Sequence, residues 1–313
     1  MLRLDGIRRS FGDRLVLDDV GFTVERGKLT GFVGGNGAGK TTTMRIILGV
    51  LAADGGTVTL DGAPLGDAGR RLFGYMPEER GLYPKMKIAE QLGYLARLHG
   101  YDRRSADERA RDLLERLGLG PRADDVLDDL SLGNQQRVQI AAALVHDPEV
   151  LILDEPFSGL DPLAVDTVVS VLAETAAQGV PVLFSSHQLD VVERLCDDVV
   201  VIAGGQIRAA GPRDELRESF AEPRFEIDSG GDMGWLRTEP GVSVVDFDGG
   251  WALFDADEPA AQRVLRTALD QAPVRKFTPV RPTLAEIFRD IVRDEVPADD
   301  ADATSLTEKE AVR

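Results

Sequence analysis

A chain of 313 residues with 43% hydrophobic content is long enough to bury more than one core. Its formal net charge of −18 makes it a poor general ligand for DNA or RNA, since phosphate neutralisation by Lys and Arg drives most of that affinity, so no nucleic-acid partner is expected and the acidity is read as a solubility feature. The one cysteine, Cys196, excludes an internal disulfide, no apolar signal run follows Met1, and no stretch approaches the ~20 apolar residues needed to span a bilayer.

Residues 1 to about 33 read as short strands. Leu15 to Leu17 and Phe22 to Val24 are expected as separate pieces, broken by Asp18-Asp19 and by Gly27. Leu29 to Val33 is an apolar run that stops at glycine, and Thr41 to Leu48 reads as a helix. Gly56 to Leu60 is expected as a strand, with Asp61-Gly62 as its turn. Further on, Ile88, Leu92 and Leu95 fall at i, i+4 and i+7, the stripe of an amphipathic helix. Ser105 and Glu108 form a capping-box pattern for the next helix, whose apolar side carries Leu113, Leu114 and Leu117 and whose end is Gly118. A helix over 131–146 stops before Pro148.

Val150 to Leu153 is fully apolar and ends in Asp154, as a buried parallel strand does. Asp161-Pro162 has N-cap and first-turn proline chemistry and opens a helix to about Gln178. Val182 to Phe184 is the next buried strand. Alternating strands and helices predict a three-layer α/β core. After Pro212 the texture changes. Arg224 to Asp228, Val242 to Phe247 and Trp251 to Phe254 read as strands, and Ala260 to Leu269 and Thr283 to Val292 as helices. From Val296 on, the chain has few large apolar residues and is expected to be disordered.

Three clusters carry chemistry. Gly34-Gly35-Asn36-Gly37-Ala38-Gly39-Lys40-Thr41-Thr42 matches G-x-x-x-x-G-K-[ST] between a strand and a helix. Glycines let successive backbone N–H groups wrap a polyphosphate, and the helix that follows adds its unpaired donors and positive end. Lys40 would bridge the β- and γ-phosphates, and the Thr41 hydroxyl would hold Mg²⁺. Only six lysines occur in the chain, so a lysine in this loop is poorly explained by chance. Asp154 and Glu155 stand at the C-terminal end of a buried strand, where open α/β sheets bind ligands. Asp154 is placed to hold Mg²⁺ and Glu155 to act as general base towards water. His187 closes Phe184-Ser185-Ser186-His187 at another strand terminus. It is either structural or a sensor of the γ-phosphate; His99 and His146 are read as structural.

Together and in order these motifs resemble the ATP-binding subunits of ABC transporters, over residues 1 to about 220. Leu130-Ser131-Leu132-Gly133-Asn134 is similar to the signature motif, Val150 to Glu155 to the Walker B strand, Ser158-Gly159-Leu160-Asp161 to the D-loop, and His187 to the switch histidine. Phe11 stands where the family stacks an aromatic ring on adenine, and Val16 lies near the base. Ser131 alone is equally explained as an N-cap. The resemblance instead implies that Ser131, Gly133 and Asn134, with Asp161, close over the ATP held by a second ATPase subunit, as a homo- or heterodimer. It further implies ATP and Mg²⁺ as cofactors and a transmembrane permease as partner. The protein would then be cytoplasmic, peripheral on the inner face of the membrane.

Four residues depart from the family pattern. Glu78 stands where a glutamine usually contacts Mg²⁺ and water, Leu132 and Asn134 alter the signature, and Gly35 replaces a proline. Pro282 to Phe288 resembles the C-terminal extension of exporter ATPases in the drug-resistance and sodium-extrusion groups. The expected fold is thus a P-loop ABC-type α/β core with an N-terminal antiparallel β flap over residues 1–220. It has a helical subdomain at about 79–147, a small α+β domain at 221–294, and an acidic tail at 295–313. The reading is an ATPase driving a separate permease, by export. The alternative is a permease-free ABC ATPase of translation or DNA repair, which usually carries two cores or a long coiled coil.

Overall fold

The apolar runs decide the architecture. The computed structural model describes residues 1–79, 81–220 and 223–293. The chain runs β1 (Leu2–Phe11), β2 (Arg14–Val24), β3 (Leu29–Val33), α1 (Lys40–Ile47), β4 (Gly55–Leu60), β5 (Ala63–Pro64), α2 (Asp67–Arg70), β6 (Phe73–Met76), α3 (Ile88–Leu98), α4 (Arg103–Arg116), α5 (Leu132–Leu144), β7 (Val150–Leu153) and α6 (Pro162–Ala177). It continues with β8 (Val182–Ser186), α7 (Leu189–Leu195), β9 (Asp198–Ala203), β10 (Gln206–Pro212), α8 (Arg213–Ser219), β11 (Arg224–Ser229), β12 (Val242–Asp248), β13 (Trp251–Ala256), α9 (Glu258–Gln271), β14 (Val274–Val280) and α10 (Leu284–Arg293). Two compact units divide at Arg213/Asp214, next to Pro212, after which the texture of the sequence changes. The acidic tail expected at 295–313 lies outside the described residues. Among the described residues no helix is long and apolar enough to cross a membrane.

In the first unit, β3, β7, β8 and β9 are buried at every residue. Such uniform burial requires cover on both faces of the sheet, which is why these strands lack the alternation of a half-exposed one. Their order is β10-β9-β3-β8-β7-β6, parallel except for the β10 edge. The flap is a separate antiparallel sheet, β2-β1-β4-β5. Its Leu4, Ile7, Val20 and Phe22 join Phe32, Ile152, Leu183 and Ile202 of the central sheet in one core. Each such side chain contributes roughly 1.5–3 kcal/mol by leaving water.

Two local expectations are corrected. The flap strand is continuous from Arg14 to Val24 rather than split at Asp18-Asp19. Asp19 takes a φ of +57°, and the β1–β2 register shifts around it, so a bulge absorbs the irregularity without ending the pairing. Helix α4 is capped by Asp102, not by Ser105. The Asp102 carboxylate accepts from the backbone N–H of Arg104 (2.9 Å) and Ser105 (3.1 Å), and the Ser105 hydroxyl donates to it as well. A carboxylate with two backbone donors outcompetes a hydroxyl for the cap.

The second unit is an antiparallel sheet ordered β12-β13-β11-β14. Phe225, Ile227, Ala252 and Phe254 face Ala260, Ala261, Val264 and Ala268 of α9.

His99 and His146 stack at 3.8 Å between ring centroids, tying the end of α3 to the end of α5. His146 Nε2 donates to the Phe73 carbonyl at 3.2 Å. Burial, with the neighbouring His99, pushes the His146 pKa down from 6.5 to about 4. Between those values the unfolded chain binds a proton that the folded chain does not. Stability is therefore lost as pH falls from 6.5 towards 4. His146→Gln, which keeps a donor for Phe73, is expected to flatten the fall of the thermal midpoint across that window; an unchanged slope would show that other groups set it.

Candidate nucleotide site

The phosphate loop leaves β3 at Val33 and enters α1 at Lys40. Gly34 packs against β9: a Cβ there would lie 2.5 Å from the Ile202 carbonyl oxygen. Gly39 has a φ of +110°, and a Cβ on it would lie 2.5 Å from Leu17. Both glycines are therefore required by geometry. Gly35, Asn36 and Gly37 form the exposed crest. Lys40 is buried and donates to the carbonyls of Gly34 (2.7 Å) and Gly35 (3.2 Å). The N-terminus of α1 presents its unpaired N–H groups at the same place.

A cavity of about 550 Å³ is lined by Phe11, Val16, Gly35, Asn36, Gly37, Gly39, Lys40, Thr41, Thr42, Glu78, Asp154, Glu155 and His187. Gly34 and Ala38, also expected in the site, form the wall of the loop behind it, and both are buried. Arg14 lines the cavity too and was not anticipated. It pairs with Phe11 across the two-residue Gly12-Asp13 turn, so the hairpin signal Gly-Asp could have found it. Phe11 is 48% exposed, and the Arg9 guanidinium lies 4.8 Å over its ring.

The acidic end of β7 is tightly held. Asp154 is buried, and its Oδ2 accepts from the Thr41 hydroxyl at 3.1 Å. Its Oδ1 accepts from the Ser185 hydroxyl at 2.5 Å. Glu155 takes a left-handed φ of +52°, which costs a non-glycine residue roughly 1–3 kcal/mol. Its N–H donates to Ser185 Oγ (2.9 Å), and its carbonyl accepts from Gln136 Nε2 (2.9 Å). Its carboxylate meets His187 Nδ1 at 2.9 Å, with the histidine largely exposed. Gln136 belongs to α5 and Ser185 to β8, and neither was expected to support the site.

A hydroxyl and carboxylate oxygens are hard donors that suit Mg²⁺. Among the described residues no group of three or more His, Cys, Asp and Glu side chains is placed to hold a metal alone. A cation at Thr41 and Asp154 would therefore take its remaining ligands from phosphate oxygens and water.

Ser131, Gly133, Asn134 and Asp161 do not reach this cavity. Ser131 caps α5 by accepting from Asn134 N–H at 3.4 Å, and Asn134 Oδ1 accepts from Arg137. Asp161 caps α6 by accepting from Ala164 N–H at 2.9 Å. The two caps adjoin: a Cβ on Gly133 would lie 3.1 Å from the Gly159 carbonyl oxygen. Both caps lie on the same unit as the cavity.

An open parallel sheet, a phosphate loop with its acidic strand end, and a capped helix after Ser131 define an ATP-binding cassette ATPase. The chain belongs to the ABC transporter ATP-binding protein family. The family model described as ABC transporter matches residues 17–158, and that described as ATP-binding protein DrrA1-3-like, C-terminal domain, matches residues 211–292. An uncharacterised ABC transporter ATP-binding protein of Bacillus subtilis is 37% identical over 92% of this chain and 97% of its own length. The linearmycin resistance ATP-binding protein of the same organism is 33% identical over 69% of this chain and 70% of its own. The Nod factor export ATP-binding protein I of Burkholderia lata is 38% identical over 68% and 71%. The solved ATP-binding subunit of an ABC transporter aligns at TM-score 0.65 and 34% identity, covering 70% of this chain and 93% of that one. This chain is accordingly an ATP-binding and ATP-hydrolysing subunit of an ABC transporter.

Proposed function

We propose that this subunit powers export through a separate transmembrane permease, at the inner face of the cell membrane, and that it works paired with a second ATPase subunit. The observation that carries the chemistry is the meeting of Thr41, Asp154, Glu155 and His187 around one phosphate loop. Lys40 and the loop N–H groups bind the β- and γ-phosphates, and Phe11 with Val16 takes the adenine. Thr41 and Asp154, with Glu78 nearby, are the groups assigned to Mg²⁺, which when bound would neutralise developing phosphate charge. Glu155 accepts the proton of the attacking water, and His187 orients Glu155 and the γ-phosphate.

Ser131, Gly133, Asn134 and Asp161 would complete the site of the second subunit, which explains their distance from this chain's own cavity. Export is supported by the likeness to the linearmycin resistance and Nod factor export proteins and by the match over residues 211–292.

The permease contact is assigned to the helical subdomain. A groove of about 330 Å³ there is lined by Tyr75, Pro77, Leu82, Leu95, His99 and Gln139, among others. Gln139 Oε1 is buried without a hydrogen-bond partner among the described residues, so a docking segment that brings a donor would satisfy it. Pro77 lines this groove and Glu78 the nucleotide cavity, so one loop touches both. Copurification from native membranes is expected to recover a polytopic subunit whose retention is lost in Leu95→Arg. Recovery with ribosomes or DNA would sink the proposal.

A further inference from the structure

We propose that Ser185 is a positioning residue for ATP hydrolysis, holding the Asp154 carboxylate and the Glu155 peptide in one fixed relation. The inference rests on the roles proposed above for Asp154 and Glu155. Strand register brings Ser185 there. Leu153 of β7 pairs with Phe184 of β8, so the next residue on each strand, Asp154 and Ser185, emerge side by side at the sheet's C-terminal edge.

The serine is fully buried, and its hydroxyl bonds to both acidic residues, donating to one and accepting from the other. Its one hydrogen goes to Asp154 Oδ1 at 2.5 Å, in the short range of charge-assisted O–H···O⁻ bonds. Its oxygen accepts the Glu155 N–H at 2.9 Å. Asp154 is thereby held at both oxygens, by β8 through Ser185 and by α1 through Thr41. Glu155 is held in a backbone region that a glutamate adopts only under constraint. The neighbouring Ser186 serves local structure, accepting the Gln188 N–H at 3.0 Å.

Loss of the hydroxyl frees the carboxylate to rotate and leaves the Glu155 N–H without its acceptor. Ser185→Ala and Ser185→Cys in the full chain are each expected to lower kcat about 10–100-fold and raise the Mg²⁺ needed for half-maximal turnover, as loss of a group supporting a metal ligand does. Binding of a fluorescent ATP analogue in EDTA, which reads the phosphate loop without metal, is expected to stay within about twofold, because the substitutions leave the phosphate-loop donors in place. Ser185→Thr, which keeps the hydroxyl, is expected to restore both turnover and the Mg²⁺ requirement.

Turnover and Mg²⁺ dependence unchanged in Ala and Cys variants, with Glu155→Gln inactive, would overturn the Ser185 inference alone. Wild-type turnover in Glu155→Gln and Asp154→Asn would instead remove the roles on which it rests. If both Ser185→Ala and Ser185→Cys unfold, the hydroxyl is a structural group and the inference also fails.

Discussion

Glu155→Gln is expected to lower ATP turnover by about 10²–10⁴-fold while leaving ATP binding intact, the range that general-base catalysis contributes. Gln matches Glu in size and can still bond to His187, but it accepts no proton from water at neutral pH. The surrounding structure has little reason to change. Three bonds that hold residue 155 run through its main chain, to Ser185 Oγ and from Gln136 Nε2 and Ser158 N–H, and all survive the substitution. The partner of its carboxylate, His187, is largely exposed, so removing the negative charge leaves no buried ion unpaired. Steady-state phosphate release measures the loss, and size-exclusion chromatography with ATP measures the second expected effect. A subunit that binds ATP without hydrolysing it should accumulate as a dimer, with ATP held between the phosphate loop of one copy and the Ser131 surface of the other. Turnover at the normal rate would remove Glu155 as the base. Lost turnover without a dimer would separate the chemistry from the pairing.

The link between these two surfaces lies within one unit. Gln136 sits one turn into α5, the helix that Ser131 caps, and its amide reaches the carbonyls of both Glu155 (2.9 Å) and Pro156 (3.2 Å). A displacement of α5 therefore acts on the peptide of Glu155, the residue proposed as base. This contact gives a concrete route by which engagement of Ser131 by a partner's nucleotide would alter hydrolysis.

What was legible in the sequence follows from where the signal is local. The strands β3, β7 and β8 read clearly because burial on both faces demands unbroken apolar runs, and Asp161-Pro162 opened α6 where its chemistry said. The phosphate loop was legible because its glycines answer a backbone requirement at Gly34 and Gly39. Residues whose role depends on tertiary pairing were not. Ser185 and Gln136 look like ordinary strand and helix positions until the register of β7 on β8 and the packing of α5 are known. Strand β14 was hidden because Arg275, Lys276 and Pro279 break its alternation, as suits an edge strand that pairs on one side only. The start of α4 was misplaced because Asp102 and Ser105 both carry cap chemistry, and sequence alone does not rank them.

Lys40→Met is expected to weaken ATP binding by roughly 10–100-fold, since charge-assisted hydrogen bonds contribute about 1.5–3 kcal/mol each and 1.4 kcal/mol is tenfold. Met keeps the unbranched stem and fills the space it occupies, so the loss should come from the ammonium group alone. That group already donates to the Gly34 and Gly35 carbonyls, and it shares with α1 the task of facing the cavity with positive potential. In a chain of net charge −18, with Glu78, Asp154 and Glu155 on the cavity wall, a tetra-anionic ligand would otherwise meet three carboxylates against the guanidinium of Arg14. Titration with a fluorescent ATP analogue, with and without Mg²⁺, reads the effect, and the thermal midpoint separates it from unfolding. Affinity within twofold of the parent chain would mean that Lys40 only staples its own loop. The phosphate charge would then be met by the loop's N–H groups, by Arg14 and by the cation proposed at Thr41 and Asp154.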